Sequence, residues 1–234
     1  MFIKIVTFLV LVFSIISLAK AGKSECPSSP FVQVPPSDLI QPKDLSTSDL
    51  IFHENNMRIA LNLAISVNGR FGAAIINRNG TLLCTAMNNG TVSKILHAEI
   101  NAILNCTDIM AARGIKQSSW EGYYLYVTGE PCPMCTSALI WSKFDAVIFG
   151  TYVDTLYCGK CNSQLPITSN YINGFSYGVG SKLKIVGGIL ESETDKLFIN
   201  ACGLNNATQY IQPICNAGWS QSCPRQSRVF GDKF

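Results

Sequence analysis

Histidine is scarce in this chain of 234 residues: there are two, His53 and His97. A three-histidine metal site is therefore excluded. So is a His-Glu-x-x-His helix, because the two lie 44 positions apart. Charge is sparse as well. Charged residues make up 14% of the chain and the formal net charge is +3, too little for a surface built to coat nucleic acid. Hydrophobic residues at 47% exclude a disordered or low-complexity protein. There is no internal repeat. What is plentiful is cysteine: ten residues, more than an ordinary cytosolic protein uses and fewer than a scaffold held by disulfides alone would need. The length suits one domain of about 150–200 residues with extensions.

The N-terminus accounts for the cysteines. Lys4 is followed by an apolar run from Ile5 to Leu18, broken only by Thr7, Ser14 and Ser17. That is the length of a signal-peptide core and short of the roughly 20 residues a membrane-spanning helix requires. Ala19-Lys20-Ala21 has the small-x-small pattern of a cleavage site, so residues 1–21 read as a signal peptide, the alternative being an uncleaved membrane anchor. Cleavage would remove two of the 18 basic residues and none of the 15 acidic ones, leaving a net charge of +1. No later apolar run approaches spanning length. The mature chain is expected to be soluble, secreted or held in the lumen of the secretory pathway. Four Asn-x-Thr sequons agree with that compartment, beginning at Asn79, Asn89, Asn105 and Asn206. Asn79, in the turn Asn77–Gly80, and Asn206 are the expected glycosylation sites. Asn105 falls inside a helix, and a glycan on Asn89 would crowd a pocket.

Residues 22–46 form a Pro- and Ser-rich extended leader. Ser46-Thr47-Ser48-Asp49 is a cluster of helix N-cap residues, and the apolar positions from Leu50 to Val67 recur at helical spacing. Asn68-Gly69 ends that helix. Phe71–Ile76 and Thr81–Ala86 read as strands around a turn. A second helix starts near His97, a strand covers Gly122–Thr128, and a third helix starts at Pro133. Strands at Asp145–Gly150 and Leu183–Gly187 follow, separated by a glycine-containing segment, 151–182. The order implies a three-layer α/β domain with a mixed sheet over 47–200, followed by a cysteine-containing tail, 201–234.

Two segments carry the chemistry: Leu96-His97-Ala98-Glu99 and Glu130-Pro131-Cys132-Pro133-Met134-Cys135. Each opens an expected helix. Cys132 and Cys135, at i and i+3, share a face of a first helical turn, and a helix N-terminus favours thiolates, the metal-binding form. Two thiolates and a neutral imidazole would give zinc three protein ligands and leave the fourth position open for a water, whose pKa falls to about 7. Glu99 then belongs beside that water as general acid and base. Taken singly, the Cys-x-x-Cys pair also reads as a disulfide or a structural zinc site. His53, in the first helix, reads as a surface or N-terminal-turn residue rather than a ligand. Trp120, Trp141 and Trp219 read as core, and Glu130 as a residue orienting the Cys132 turn.

In this combination the sequence resembles the cytidine/deoxycytidylate deaminase-like zinc deaminase superfamily, nearest the branch of guanine deaminases and tRNA adenosine deaminases. The matching residues are Arg70–Ile76, the Asn88 region, His97–Ile103 and Glu130–Cys135. The resemblance implies a three-layer α-β-α fold with a mixed five-stranded sheet, Zn²⁺ on His97, Cys132 and Cys135, and Glu99 as proton shuttle. It implies hydrolysis of the exocyclic C–N bond of a nucleobase or nucleoside, of purine or cytosine type, with Asn88 as base contact and Asn89 as its rival. It also implies a homodimer. Alternatives are a deaminase of RNA or single-stranded DNA, against which the near-neutral charge argues, and a catalytically silent binding protein of the same fold.

Eight cysteines remain as disulfide candidates: Cys26, Cys84, Cys106, Cys158, Cys161, Cys202, Cys215 and Cys223. Their pairing is open, since eight cysteines allow about 105 connectivities. A short Cys158–Cys161 bridge is the expectation there.

Overall fold

The computed structural model describes residues 37–201, all within the unit Pro35–Phe234. The expected signal segment, Cys26, Cys202, Cys215, Cys223, Asn206 and Trp219 lie outside the described residues. Among the described residues no helix is long and apolar enough to cross a membrane.

Helix α1, Thr47–Ser66, starts where the cap cluster predicts. Ser46 stays extended and its hydroxyl accepts the Asp49 N–H at 3.1 Å, satisfying one of the helix's free donors. The end is equally local: Asn68 takes a left-handed φ of 51°, and the Gly69 N–H returns to the Ala64 carbonyl. Strands β2, Gly72–Asn77, and β3, Leu82–Met87, form a hairpin. Its turn is held by the Asn77 carboxamide oxygen, which accepts the N–H groups of Asn79 and Thr81. Helix α2, Ala98–Ala112, leads to β4, Tyr123–Gly129. Helix α3, Pro133–Trp141, leads to β5, Ala146–Thr151. A short helix α4, Ser169–Asn173, precedes β6, Lys184–Val186, and α5, Glu191–Thr194, follows it.

The sheet has six strands rather than five. The sixth, β1, is Leu39–Ile40 of the leader, which pairs parallel with Ile185 and Val186 of β6. A two-residue strand has too short a pattern to be read from sequence, and its position depends on the edge that β6 presents. The strand order is β1-β6-β5-β4-β2-β3, with β2 antiparallel to both neighbours and the other pairs parallel.

Alternation along the strands separates two cores. Ala73, Ile75, Leu125, Val127, Val147 and Phe149 pack with Ala98 and Ala102 of α2 and Leu139 of α3. Ala74, Ile76, Tyr126 and Ile148 pack with Met57 and Ala60 of α1. Helices therefore cover both faces, in three layers. Small residues at the start of β2 let α1 approach closely: a Cβ on Gly72 would lie 2.4 Å from the Ala60 carbonyl oxygen. Since backbone blocks that space, Gly72→Ala is expected to destabilise the fold by about 1–3 kcal/mol, read as a lowered urea midpoint with unchanged slope. An unchanged midpoint would mean that α1 moves away at little cost.

Two sequence expectations are corrected. Trp120 is core, stacked on Phe144, but Trp141 at the end of α3 is 69% exposed. His53 is half-buried rather than a surface residue: its Nδ1 lies 2.9 Å from the Tyr126 hydroxyl, and burial lowers its pKa. Tyr126 belongs to the α1 face, so His53 stands across the sheet from α2 and α3.

Candidate active site

Two helix N-termini meet at one end of the sheet. His97 is the N-cap of α2, with extended backbone (φ −67°, ψ 163°), and Cys132 is the N-cap of α3 with nearly the same geometry (φ −64°, ψ 167°). Pro133 takes the first helical position of α3, where no N–H is needed. Cys135 follows one turn on. The Nδ1 atom of His97 lies 3.6 Å from the sulfurs of both Cys132 and Cys135. The three ligand atoms fall within 4.8 Å of one another.

This set fits zinc. A tetrahedral ion with bonds of about 2.0–2.3 Å holds its ligand atoms roughly 3.5 Å apart, which is the spacing seen here. Electrostatics point the same way. The hydrogen bond from Cys135 pulls the Cys132 thiol down to about 4, against the effect of burial, while the same contact and burial push the Cys135 thiol up. Hydrogen bonding to Cys132 raises the pKa of His97. A cation at the point where the three groups meet would replace the protons they now share through hydrogen bonds. Among the described residues this is the one cluster of metal-ligating side chains, and Cys132 and Cys135 are the free cysteines.

Glu99 is the second residue of α2 and only 3% exposed. Because His97 is extended rather than helical, the i, i+2 pair does not diverge as it would in mid-helix. The Glu99 side chain reaches the Cys135 thiol. Burial pushes its carboxyl up to about 7, although its own backbone N–H opposes the shift. A carboxyl at that value both takes and gives a proton near neutrality.

Asn88, just beyond β3, is exposed, and its Oδ1 accepts the Ala98 N–H at 2.6 Å. It thus fastens the first turn of α2, a role that only the long-range fold reveals. Two further asparagines, Asn101 and Asn105, sit one turn apart on α2 and donate to the carbonyls of Met87 and Thr85 on the edge strand β3. A groove of about 480 Å³ lies over them and reaches Asn88 and Asn89, but the three ligand residues do not line it.

Glu130 does not orient the Cys132 turn. Its buried carboxylate reaches outward to the next segment, accepting the Val153 N–H at 2.9 Å and the Ser169 N–H and hydroxyl at 2.7 and 2.9 Å. Burial raises its pKa, and those three donors pull it back. Glutamine in its place would turn an N–H₂ toward one of the donors. Glu130→Gln is therefore expected to cost about 1–3 kcal/mol locally, seen as roughly 10- to 100-fold faster amide exchange at Val153 or Ser169. Unchanged exchange there would show that the segment is held by other contacts.

Cys84 of β3 is bridged to Cys106 of α2, with Cα atoms 5.6 Å apart. This disulfide fastens the helix that carries Glu99 to the edge of the sheet. Cys158 and Cys161 are each disulfide-bonded as well.

Residues 51–151 match the family model of the cytidine and deoxycytidylate deaminase zinc-binding region. A tRNA-specific adenosine deaminase of Bacillus subtilis is 30% identical over 122 residues, which cover 51% of this chain and 68% of that protein. The chain belongs to this zinc-binding deaminase family. A guanine deaminase, also of Bacillus subtilis, is 32% identical over 104 residues, 42% of this chain. That match covers 63% of the enzyme, so the chain spans somewhat less than two thirds of that relative's length. The crystal structure of NE0047 in complex with 2,6-diaminopurine shares the fold, with 25% identity and a TM-score of 0.50 over 64% of this chain and 82% of that chain.

Proposed function

We propose that this deaminase hydrolyses the exocyclic C–N bond of a free nucleobase or nucleoside, of purine or cytosine type, and releases ammonia. The observation that carries the reading is the placement of Glu99. A buried carboxyl pushed up to about 7, hydrogen-bonded to one member of the His-Cys-Cys set, stands where a general acid and base for this site is required. Zinc, when held by His97, Cys132 and Cys135, supplies the Lewis acidity that lowers the pKa of a water molecule toward neutrality. Glu99 takes one proton from the attacking water and gives it to a ring nitrogen, then takes the second from the hydroxyl now bonded to the ring carbon and gives it to the departing amine. Asn88, its oxygen committed to α2, has its Nδ2 hydrogens to offer an acceptor on the base.

A second reading is deamination within a nucleic acid, favoured by the tRNA-specific relatives, one of them from Aquifex aeolicus 40% identical over 78 residues. The formal charge of +3 opposes it, because strand binding draws on phosphate contacts. The deciding experiment incubates the zinc-loaded protein with guanine, adenine, cytosine, their nucleosides and a short oligonucleotide, and measures ammonia. Release from a free base or nucleoside is the expected result. Release from the oligonucleotide alone would establish the second reading, and none at all would leave a binding protein of the deaminase fold.

A further inference from the structure

The six cysteines within residues 37–201 divide without remainder. Cys132 and Cys135 are free, and the other four are oxidised: Cys84 and Cys106 to each other, Cys158 and Cys161 in disulfides of their own. Bridges of this density are rare where glutathione keeps thiols reduced, and ordinary in secreted and lumenal proteins. A chain whose every described thiol outside its metal set is bridged is built for an oxidising compartment. The positively charged and apolar start of the sequence, Lys4 to Leu18, has the pattern of a signal-peptide core that would direct it there.

In a eukaryotic secretory lumen, Asn-x-Thr sites meet an oligosaccharide-transferring enzyme, and the fold sorts three of this chain's four. Asn105 lies inside α2 with its Nδ2 donating to the Thr85 carbonyl at 3.0 Å, next to Cys106 and its bridge to β3. A glycan on that nitrogen would have to displace the contact that holds the helix to the edge strand. Asn89 follows Asn88 directly, its Oδ1 accepting the Thr91 hydroxyl and its N–H bonded to the Leu96 carbonyl. Carbohydrate there would stand over the loop that leads into His97. Asn79 differs in every respect. It is exposed at the tip of the β2–β3 hairpin, and the turn is held by Asn77 rather than by its own carboxamide. The hairpin tip is also the far end of both strands from the site: Gly72 and Met87 pair at the near end. Six strand residues separate the two ends by about 20 Å.

We propose that this deaminase matures in an oxidising, glycosylating lumen and carries an N-linked oligosaccharide at Asn79, with Asn89 and Asn105 unmodified. In the transfer, the Asn79 Nδ2 bonds to the anomeric carbon of the first sugar of a polyprenyl-pyrophosphate-linked oligosaccharide. The carbon–oxygen bond to pyrophosphate breaks, polyprenyl pyrophosphate departs, and the one proton lost from Nδ2 passes to solvent. The remaining N–H and the carbonyl stay in the amide. The carbohydrate shields the hairpin without approaching the site.

The test expresses the full chain, with its own N-terminal segment, in a eukaryotic secretory host. Protein from the medium or lumen is treated with peptide N-glycosidase in heavy-oxygen water, which turns each glycosylated asparagine into labelled aspartate. Label at Asn79 and none at Asn89 or Asn105 is the expected map. The Asn79→Gln protein should migrate faster by one oligosaccharide and turn over substrate within about twofold of the unchanged chain. An unlabelled Asn79 in exported protein, label at Asn105, or retention of the chain in the cytosol with its N-terminus intact would each overturn the proposal. None of these readouts depends on which base is the substrate.

Discussion

Glu99→Gln should lower kcat on the order of 10²–10⁴-fold while the protein keeps its zinc and its fold. The substitution keeps the size and one oxygen of the side chain and removes the group that changes protonation state. Glu99 is not in the His-Cys-Cys set, whose three ligand atoms converge without it, so metal content read by elemental analysis should stay at one zinc per chain. Burial is the largest cause of its raised pKa, and an amide in the same place carries no desolvated charge. The variant should therefore be at least as stable as the parent. Ammonia release under saturating substrate, measured beside zinc content, separates this from a damaged site. Full turnover by a zinc-loaded Glu99→Gln protein would remove Glu99 from the chemistry, and loss of zinc together with activity would make it a structural residue of the metal site.

Stripping the metal under oxidising conditions should close the site covalently. The Cys132 and Cys135 sulfurs lie within 4.8 Å of each other at a helix N-terminus. Cys132, held down to about 4 by its hydrogen bond with Cys135, is thiolate at neutral pH and supplies the attacking sulfur. With oxidised glutathione, that sulfur forms a mixed disulfide and releases one glutathione. The Cys135 sulfur then displaces the second, forming the bridge. The expected result after chelation is a protein lighter by two hydrogens, with Cys132 and Cys135 in one cross-linked peptide. It should be unable to take up zinc until a reductant is added. The zinc-loaded protein should survive the same treatment unchanged, because the metal competes for both thiolates. Two persistently free thiols in the chelated protein would show that the turn cannot bring the sulfurs into bonding distance. The prediction bears on the whole molecule, since every other described cysteine is already bridged.

Much of this protein is readable along the chain because the information is local. Ser46 caps α1, Asn68-Gly69 stops it, and Asn77 holds the hairpin turn, each acting on backbone within four residues. The site's chemistry is local in the same sense. His97 with Glu99, and Cys132 with Cys135, each occupy a single helix entry, where an extended N-cap and the first turn aim side chains at one point. Contacts of long sequence separation are a different matter. The pairing of Cys84 with Cys106 depends on α2 lying along the edge strand, a choice among many connectivities until the sheet order is known. Glu130 sits directly before the Pro-Cys motif, and position alone assigns it to that turn. Its partners at Val153 and Ser169 are brought to it only by the loop after β5. His53 reads as a surface residue because nothing near it in sequence hints at the Tyr126 hydroxyl.

Residue types and short-range spacing thus determined which groups can hold a metal ion, which carboxyl stands beside them, and the order of helices and strands, since capping and alternation act over a turn or two of chain. Tertiary structure alone decided that the leader adds a sixth strand, that Cys84 meets Cys106, and that Asn88 fastens the first turn of α2. It also decided that Asn79 stands at the opposite end of the hairpin from the site. Each of these depends on which surfaces the packed sheet brings together, and that is set by the burial of the two cores rather than by any segment of the sequence taken singly.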